Sequence, residues 1–208
     1  KLKLDRPREA LRFALKALSK NPDSAQDNYI VGLVHEQLGN AEEALRYYGI
    51  AIQKDSRHAS SLINLGGLLD SRGEPAKALP YLQDAVEVVP QSYEAHNNLG
   101  SAYLHLGRYA ESITQFRRAL EIRPDAKVTL HNLGLAYSQT GQAGEAKAAF
   151  TRVIQADPSY WDAYLRLAQV MVSEGKKADA KDLLTRLLAK NPSPDVKVEA
   201  QKLLDSLK

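Results

Sequence analysis

The sequence contains no cysteine among its 208 residues, and it has only one methionine and one tryptophan. The absence of cysteine excludes disulfides and thiolate metal sites, and it leaves the redox compartment open. No apolar run approaches the roughly 18 residues that a membrane-spanning helix needs, and no signal peptide is visible. We therefore expect no direct insertion into a membrane, while the compartment stays open between cytoplasm and periplasm.

The sequence also lacks a large excess of either positive or negative charge. Lysine and arginine exceed aspartate and glutamate by three, and both signs are mixed along the chain without a basic block. Nucleic acids and anionic membranes are therefore not the favoured partners.

The patterns of an active site are absent as well. We find no nucleophile paired with a base, no phosphate-binding glycine loop, and no third ligand spaced to join His105 and His131 around a metal. The sequence therefore predicts a protein that is not an enzyme and that holds no catalytic residue, metal or cofactor.

What the sequence does contain is a period of 34 residues. Ile63–Gly66 reads INLG, Asn97–Gly100 reads NNLG, and His131–Gly134 reads HNLG. Glycines and prolines recur at the same step, as Gly73, Gly107 and Gly141 and as Pro90, Pro124 and Pro158. A fixed period of this length predicts one helical unit copied along the chain. Stacked units present an extended surface instead of an enclosed pocket, which favours binding over catalysis.

Each unit has two apolar stripes at helical spacing, separated by a glycine at its fifteenth place. Glycine permits the left-handed backbone that ends one helix before the next begins. Small residues recur at the eighth place and large residues at the twenty-fourth. The eighth place is Gly32, Gly66, Gly100, Gly134 and Ala168, and the twenty-fourth is Tyr48, Leu82, Phe116, Phe150 and Leu184.

This pattern resembles the tetratricopeptide repeat family. The resemblance implies an all-α fold, a right-handed α-solenoid superhelix of helix-turn-helix repeats. It divides the chain into five full repeats at residues 25–58, 59–92, 93–126, 127–160 and 161–194.

The two ends depart from the repeat. Residues 1–22 predict a partial repeat, with Lys1–Leu4 as the last turn of a first helix and Leu11–Leu18 within a second helix. Because the chain begins with Lys1 and not with Met, we expect an upstream segment and a longer array. The alternative is that the open edge around Leu11–Leu18 docks a partner or a second copy. Residues 195–208 predict a capping helix with an apolar stripe along Asp195–Leu207.

In this family the first helix of each repeat lines a concave groove, and the resemblance extends to its sixth place. That place reads Asn64, Asn98 and Asn132 in three successive repeats, similar to the asparagine ladders of sugar-transferase and importin-type superhelices. An amide offers both a donor and an acceptor to the backbone of an extended peptide. First helices roughly 10 Å apart would bring one asparagine to about every third peptide residue. Alternatively, the asparagines tolerate a half-exposed position or bond to a neighbouring helix.

Other groove positions complete the predicted site. The predicted pocket walls are Tyr29, Leu33, Leu104, His131 and Leu135, and the predicted polar contacts add Glu94, Asn97, His105, Asp162 and Arg166. The carboxylate clamp that grips acidic chaperone tails in this family is incomplete, since only Asn132 and Arg166 match its five positions. Asp162 would also repel a carboxylate. We therefore predict a neutral or mildly basic ligand segment.

The leading interpretation is a protein–protein interaction scaffold that holds an extended peptide segment or a helix in its groove. One alternative is the substrate-recruiting arm of a larger enzyme, such as a glycosyltransferase. Another is an envelope assembly factor similar to lipid-anchored pilotins. Self-association through the open N-terminal edge is a further alternative.

Overall fold

The computed structural model describes the backbone of residues 2–207 and the side chains of residues 8–207, and this range contains twelve α-helices and no strand. The chain divides into two compact units, Lys1–Leu106 and Gly107–Lys208. The first unit contains α1 (Leu2–Lys20), α2 (Ala25–Gln37), α3 (Ala41–Lys54), α4 (Ala59–Ser71), α5 (Pro75–Val88) and α6 (Tyr93–His105). The second contains α7 (Tyr109–Ile122), α8 (Lys127–Gln139), α9 (Ala143–Ala156), α10 (Trp161–Ser173), α11 (Lys177–Ala189) and α12 (Pro194–Asp205).

Glycine ends the first helix of each repeat, as the sequence predicts. The five glycines at the fifteenth place have φ between 71° and 79°, namely Gly39, Gly73, Gly107, Gly141 and Gly175. Most other residues would lose about 1–2 kcal/mol in that left-handed conformation. Serine caps begin two of the first helices, since the Ser24 and Ser92 hydroxyls accept the backbone N–H groups of Asp27 and Ala95 at 3.0 and 3.2 Å.

In the first unit, α2–α3 and α4–α5 form antiparallel hairpins, and the first helices α4 and α6 also contact each other. Glycine is required where the two helices of a hairpin touch. A Cβ atom on Gly32 would lie 2.7 Å from the ring of Tyr48, and one on Gly66 would lie 2.5 Å from Leu82. Tyr48 and Leu82 are fully buried. The small eighth place and the large twenty-fourth place are therefore packing partners.

In the second unit, α8–α9 and α10–α11 form the corresponding hairpins, and α8 contacts α10. The last helix, α12, packs against both α10 and α11. Its Ala200 and the following Leu207 are buried in one cluster with Leu165 and Leu184, and Trp161 is partly buried against that cluster. A helix is therefore present where the capping helix is predicted, and it covers apolar side chains of the last hairpin.

The start of the chain differs from the expectation of two helical pieces. Residues Leu2–Lys20 form one continuous helix, while Lys1 lies outside the described residues. One period before Gly39 the turn place is occupied by Asp5. Without glycine the left-handed turn is disfavoured, so the helix continues through that place. The side chains of Phe13 and Leu15 on this helix are 61% and 39% exposed.

Within the described part of the chain, no helix combines the length and the apolar character that crossing a membrane requires.

Candidate functional site

Two adjoining depressions lie on the first unit along its first helices α2, α4 and α6. The Tyr29 depression has a volume of about 330 Å³ and is lined by Tyr29, Ala59, Ser60, Ile63, Asn64, Val89, Ser92 and Glu94. The Glu36 depression has a volume of about 300 Å³ and is lined by Glu36, Ile63, Asn64, Gly67, Leu68, Ser71 and Asn98. Because Ile63 and Asn64 line both, the depressions meet at α4.

Asn64 is held by a hydrogen-bond chain that reaches into the core. Its Nδ2 donates to the Tyr48 hydroxyl at 3.3 Å, and that hydroxyl donates to Glu36 Oε2 at 2.5 Å. Burial raises the pKa of Tyr48 above its usual range, and the hydrogen bond to Glu36 raises it further, so the hydroxyl keeps its proton at neutral pH. Because the Tyr48 hydroxyl donates to Glu36, it can only accept from Asn64. This fixes the orientation of the Asn64 amide.

This geometry matches one of the two alternatives to the ladder, namely that an asparagine at this place bonds to a neighbouring helix. The bond uses only one N–H of Asn64. Its Oδ1 accepts no hydrogen bond from any residue that the structure describes. Asn64 therefore keeps an acceptor for a ligand.

Asn98 lies over a notch in the neighbouring first helix. A Cβ atom on Gly67 of α4 would lie 2.8 Å from Asn98 Nδ2, so glycine makes room for this amide. Asn98 Oδ1 accepts a long hydrogen bond from Asn97 Nδ2 at 3.4 Å. In residues 8–207 the Asn98 Nδ2 group itself donates no hydrogen bond. Asn98 therefore presents an amide donor at the edge of the Glu36 depression.

Tyr29 and Glu94, two residues of the predicted site, both line the Tyr29 depression. The Tyr29 ring is half-buried, with its centroid 5.8 Å from that of Tyr48 and 5.3 Å from that of His58. Glu94 is exposed, and its Oε2 accepts a hydrogen bond from the Ser92 hydroxyl at 3.4 Å. This depression therefore offers an aromatic wall and an exposed carboxylate.

His105 pairs with a buried carboxylate, although its own side chain is 52% exposed. Its Nδ1 lies 2.7 Å from Asp70 Oδ1, and Ser101 donates to Asp70 Oδ2 at 2.7 Å. Asp70 is only 7% exposed, so these two groups of α6 satisfy a buried carboxylate of α4. Ser101 bonds to Asp70 and not to His105, so the three residues do not form the relay that activates a serine nucleophile.

In the second unit, His131 is buried and does not form an open wall. It is 6% exposed, and its ring packs 5.6 Å from that of Phe150 and 5.2 Å from that of Tyr160. Its Nε2 lies 3.0 Å from Asp162 Oδ2. The prediction of a groove-facing ring needs correction because aromatic side chains of two other segments close over this position.

Asp162 and Arg166 neutralise each other on the same unit. Arg166 lies 3.3 Å from Asp162 Oδ1 and donates to Gln169 at 3.2 Å. The hydrogen bond from His131 lowers the pKa of Asp162, and the charge of Arg166 lowers it further. The two opposite charges therefore offset each other, while both side chains stay partly exposed.

Asn132 is half-buried, and its amide makes no hydrogen bond with any described residue. Nearby first-helix residues of this unit enclose a depression of about 220 Å³ between α8 and α10. Its lining is Leu135, Ser138, Gln139, Arg166, Gln169, Val170 and Ser173. Asn64 and Asn98 thus share a depression in the first unit, while Asn132 belongs to the second unit.

Tyr48 and Gly67, which position or make room for polar groups at the Glu36 depression, are not among the site residues that the sequence predicts. A signal for Tyr48 exists, because it is the one polar residue among the five large side chains at the twenty-fourth place. A buried tyrosine hydroxyl needs a partner, and Glu36 and Asn64 supply it. The described residues hold no group of three or more histidine, aspartate or glutamate side chains placed to bind a metal ion.

Comparison with models of protein families identifies the family of the chain. Tetratricopeptide repeat models match residues 1–59, 32–87 and 63–127, and another matches residues 137–204. The chain belongs to the tetratricopeptide repeat family. This confirms the resemblance and the all-α fold, and tetratricopeptide repeats are in general non-enzymatic protein-interaction scaffolds.

Solved tetratricopeptide repeat structures are similar in fold. YrrB, described as a TPR protein with an unusual peptide-binding site, is 19% identical with a TM-score of 0.80 over 91% of this chain and 97% of its own. PilW, described as a type IV pilus biogenesis factor, is 20% identical with a TM-score of 0.80 over 98% of this chain and 93% of its own. MamA from Desulfovibrio magneticus RS-1 is 19% identical with a TM-score of 0.75 over 79% of this chain and 93% of its own. No curated protein matches the sequence.

Proposed function

We propose that this tetratricopeptide repeat chain is a protein–protein interaction module in which the first helices of each unit bind an extended peptide segment. The observation that carries the proposal is the pairing of open depressions with unsatisfied amide groups. Asn64 Oδ1, Asn98 Nδ2 and the whole Asn132 amide have no hydrogen-bond partner among the described residues. An extended peptide has the complementary backbone N–H and C=O groups.

The free energies of hydrogen bonding and of association indicate different roles for the amides and the depressions. Each amide–backbone hydrogen bond contributes about 0.5–1.5 kcal/mol net. Association costs about 4–15 kcal/mol, so the one or two such bonds that each unit offers cannot hold a ligand alone. In each unit the amides would set the register of the peptide. Side chains entering the depressions would supply the affinity, beside Tyr29 and Ile63 in the first unit and beside Leu135 in the second.

The test is the double substitution Asn98→Ala with Asn132→Ala, used to capture partners from native extract. We expect the double variant to lose most of the recovered partner. A matched control is Gln53→Ala with Gln155→Ala, which removes two exposed amides from the second helices α3 and α9. Unchanged recovery with the asparagine variant, or equal loss with the glutamine variant, would refute the groove model.

A second candidate is an assembly factor for an envelope machine. Fold similarity to PilW over 98% of this chain motivates it, and it is compatible with peptide binding. A lipoprotein signal encoded upstream of Lys1 in the gene would support this candidate, whereas a cytoplasmic enzyme domain encoded there would exclude it.

A further inference from the structure

We propose that the Glu36 depression binds the side chain of a lysine in the peptide segment held by the first helices. The inference rests on the proposed function, and it assigns one side-chain subsite and its chemistry. Glu36 is the specificity-determining residue, and Tyr48 is the residue that positions it.

The acceptors around the depression suit an ammonium group. Glu36 Oε2 is engaged by the Tyr48 hydroxyl, which leaves Oε1 without a hydrogen bond among the described residues. Asn64 Oδ1 has no partner there either, and its orientation is fixed because its Nδ2 donates to Tyr48. A lysine ammonium carries three donors and no acceptor, so it has a donor for each of these groups.

The remaining lining suits the aliphatic part of lysine. Ile63 and Leu68 provide apolar surface, and Gly67 leaves space because it has no side chain. Lysine places its four-carbon stem on apolar surface and its charged end at a polar rim. The depression therefore has an apolar part and an acceptor part in the arrangement that this side chain needs.

The surrounding charge favours a cation as well. The three helices of this face contain Asp27, Glu36, Asp70 and Glu94 but no lysine or arginine. Glu36 forms no ion pair with any described residue. Its carboxylate is thus a negative group without a basic partner, and a bound lysine would supply one.

Lysine fits this depression better than arginine does. A guanidinium binds a carboxylate best through two parallel bonds, one to each oxygen. The Tyr48 hydroxyl already lies 2.5 Å from Glu36 Oε2 and competes for that second bond. An ammonium is a compact charge that needs only the free oxygen and the neighbouring amide acceptor.

The experiment uses fluorescent, N-acetylated octapeptide pools in which one position is fixed and the others are mixed, measured by anisotropy against the whole chain. We expect the lysine pool at one position to bind roughly fivefold more tightly than the norleucine pool, because Glu36 is exposed and the pair is partly screened. The arginine pool should bind more weakly than the lysine pool. Pools that bind without a lysine preference, or with equal preference for arginine, would overturn the inference and leave the proposed function intact. If no pool binds, the proposed function fails, and the inference fails with it.

Two variants complete the test. Glu36→Gln keeps an acceptor for Tyr48 and removes the charge, so the fold should persist in far-UV circular dichroism while the lysine preference disappears. Glu87→Gln makes the same charge change on an exposed position of α5, outside both depressions, and should keep the preference. Preference that survives in Glu36→Gln, or that falls equally in Glu87→Gln, would show that this subsite does not read the lysine.

Discussion

Substitution of Gly66 by alanine should destabilise the first unit, although alanine is the better helix former. The new Cβ would lie 2.5 Å from Leu82 Cγ and 2.6 Å from Leu82 Cδ2. Carbon atoms pack at about 3.5–4.0 Å, so α4 and α5 would have to separate by about 1 Å. Rotation of the leucine terminus does not relieve the contact, because Cγ is its branching atom. Leu82 is fully buried, and close-packed interiors leave few voids into which a side chain can move.

The expected magnitude comes from comparison with Gly49→Ala. Gly49 lies inside helix α3, and a Cβ there would meet no atom within 4 Å. Gly49→Ala should therefore gain the helix propensity of about 1 kcal/mol. Gly66→Ala gains the same amount but loses about 1–3 kcal/mol to overpacking. The propensity cancels in the comparison, so the two variants should differ by about 1–3 kcal/mol in free energy of unfolding.

Urea unfolding followed by circular dichroism at 222 nm measures this difference within one unit. With a slope of about 2 kcal/mol per molar urea, the midpoint of Gly66→Ala should lie about 0.5–1.5 M below that of Gly49→Ala. The double variant Gly66→Ala with Leu82→Ala should lose less than the sum of its two single variants, because truncation of Leu82 makes room for the new methyl group. Equal midpoints for the two glycine variants would refute the close-packing explanation of the eighth place.

Two further predictions concern polar groups. Tyr48→Phe should lower the free energy of unfolding by about 1.5–3 kcal/mol, because it removes the hydrogen bond to the charged Glu36. The control Tyr81→Phe should change this free energy little. Urea titration measures the free energy of unfolding of both variants. Hydrogen bonds, first among them that from Lys127, lower the pKa of Asp157 from its usual value of 3.8 to about 2. The stabilisation from this carboxylate is thus present at neutral pH and is lost as the pH falls from about 4 to about 2. A titration that follows the carbon-13 shift of the Asp157 carboxyl should give a midpoint near pH 2 in the unsubstituted chain and a higher midpoint in Lys127→Met. Equal midpoints in the two proteins would contradict the assignment to Lys127.

The sequence predicts the fold well where every repeat uses the same turn and the same contact between its two helices. The helix turns follow from the glycine at the fifteenth place, and the hairpin contacts follow from the small and large places such as Gly66 and Leu82. The prediction fails at Asp5, where the periodic register predicts a turn but the favoured glycine is missing, and α1 continues through that position.

The candidate site is less predictable because its polar groups depend on contacts between repeats. The periodic register places Asn64 and Asn98 on the first helices, but the bond from Asn64 to Tyr48 depends on a hydroxyl that the other four repeats lack. The burial of His131 likewise depends on Tyr160, which lies in a turn outside the repeated helical stripes. A periodic pattern describes what the repeats share, whereas these contacts arise from what one repeat has alone.

The position of Trp161 gives the chain an internal spectroscopic probe. It is the only tryptophan, and it is partly buried against the core cluster of the second unit that includes the last helix. Its emission reports the environment of that unit alone, whereas the far-UV signal sums the helices of both. Repeat arrays can unfold in steps, and probes that disagree reveal such steps. Overlaid fluorescence and circular dichroism curves will therefore identify which half of the array melts first, with no added label.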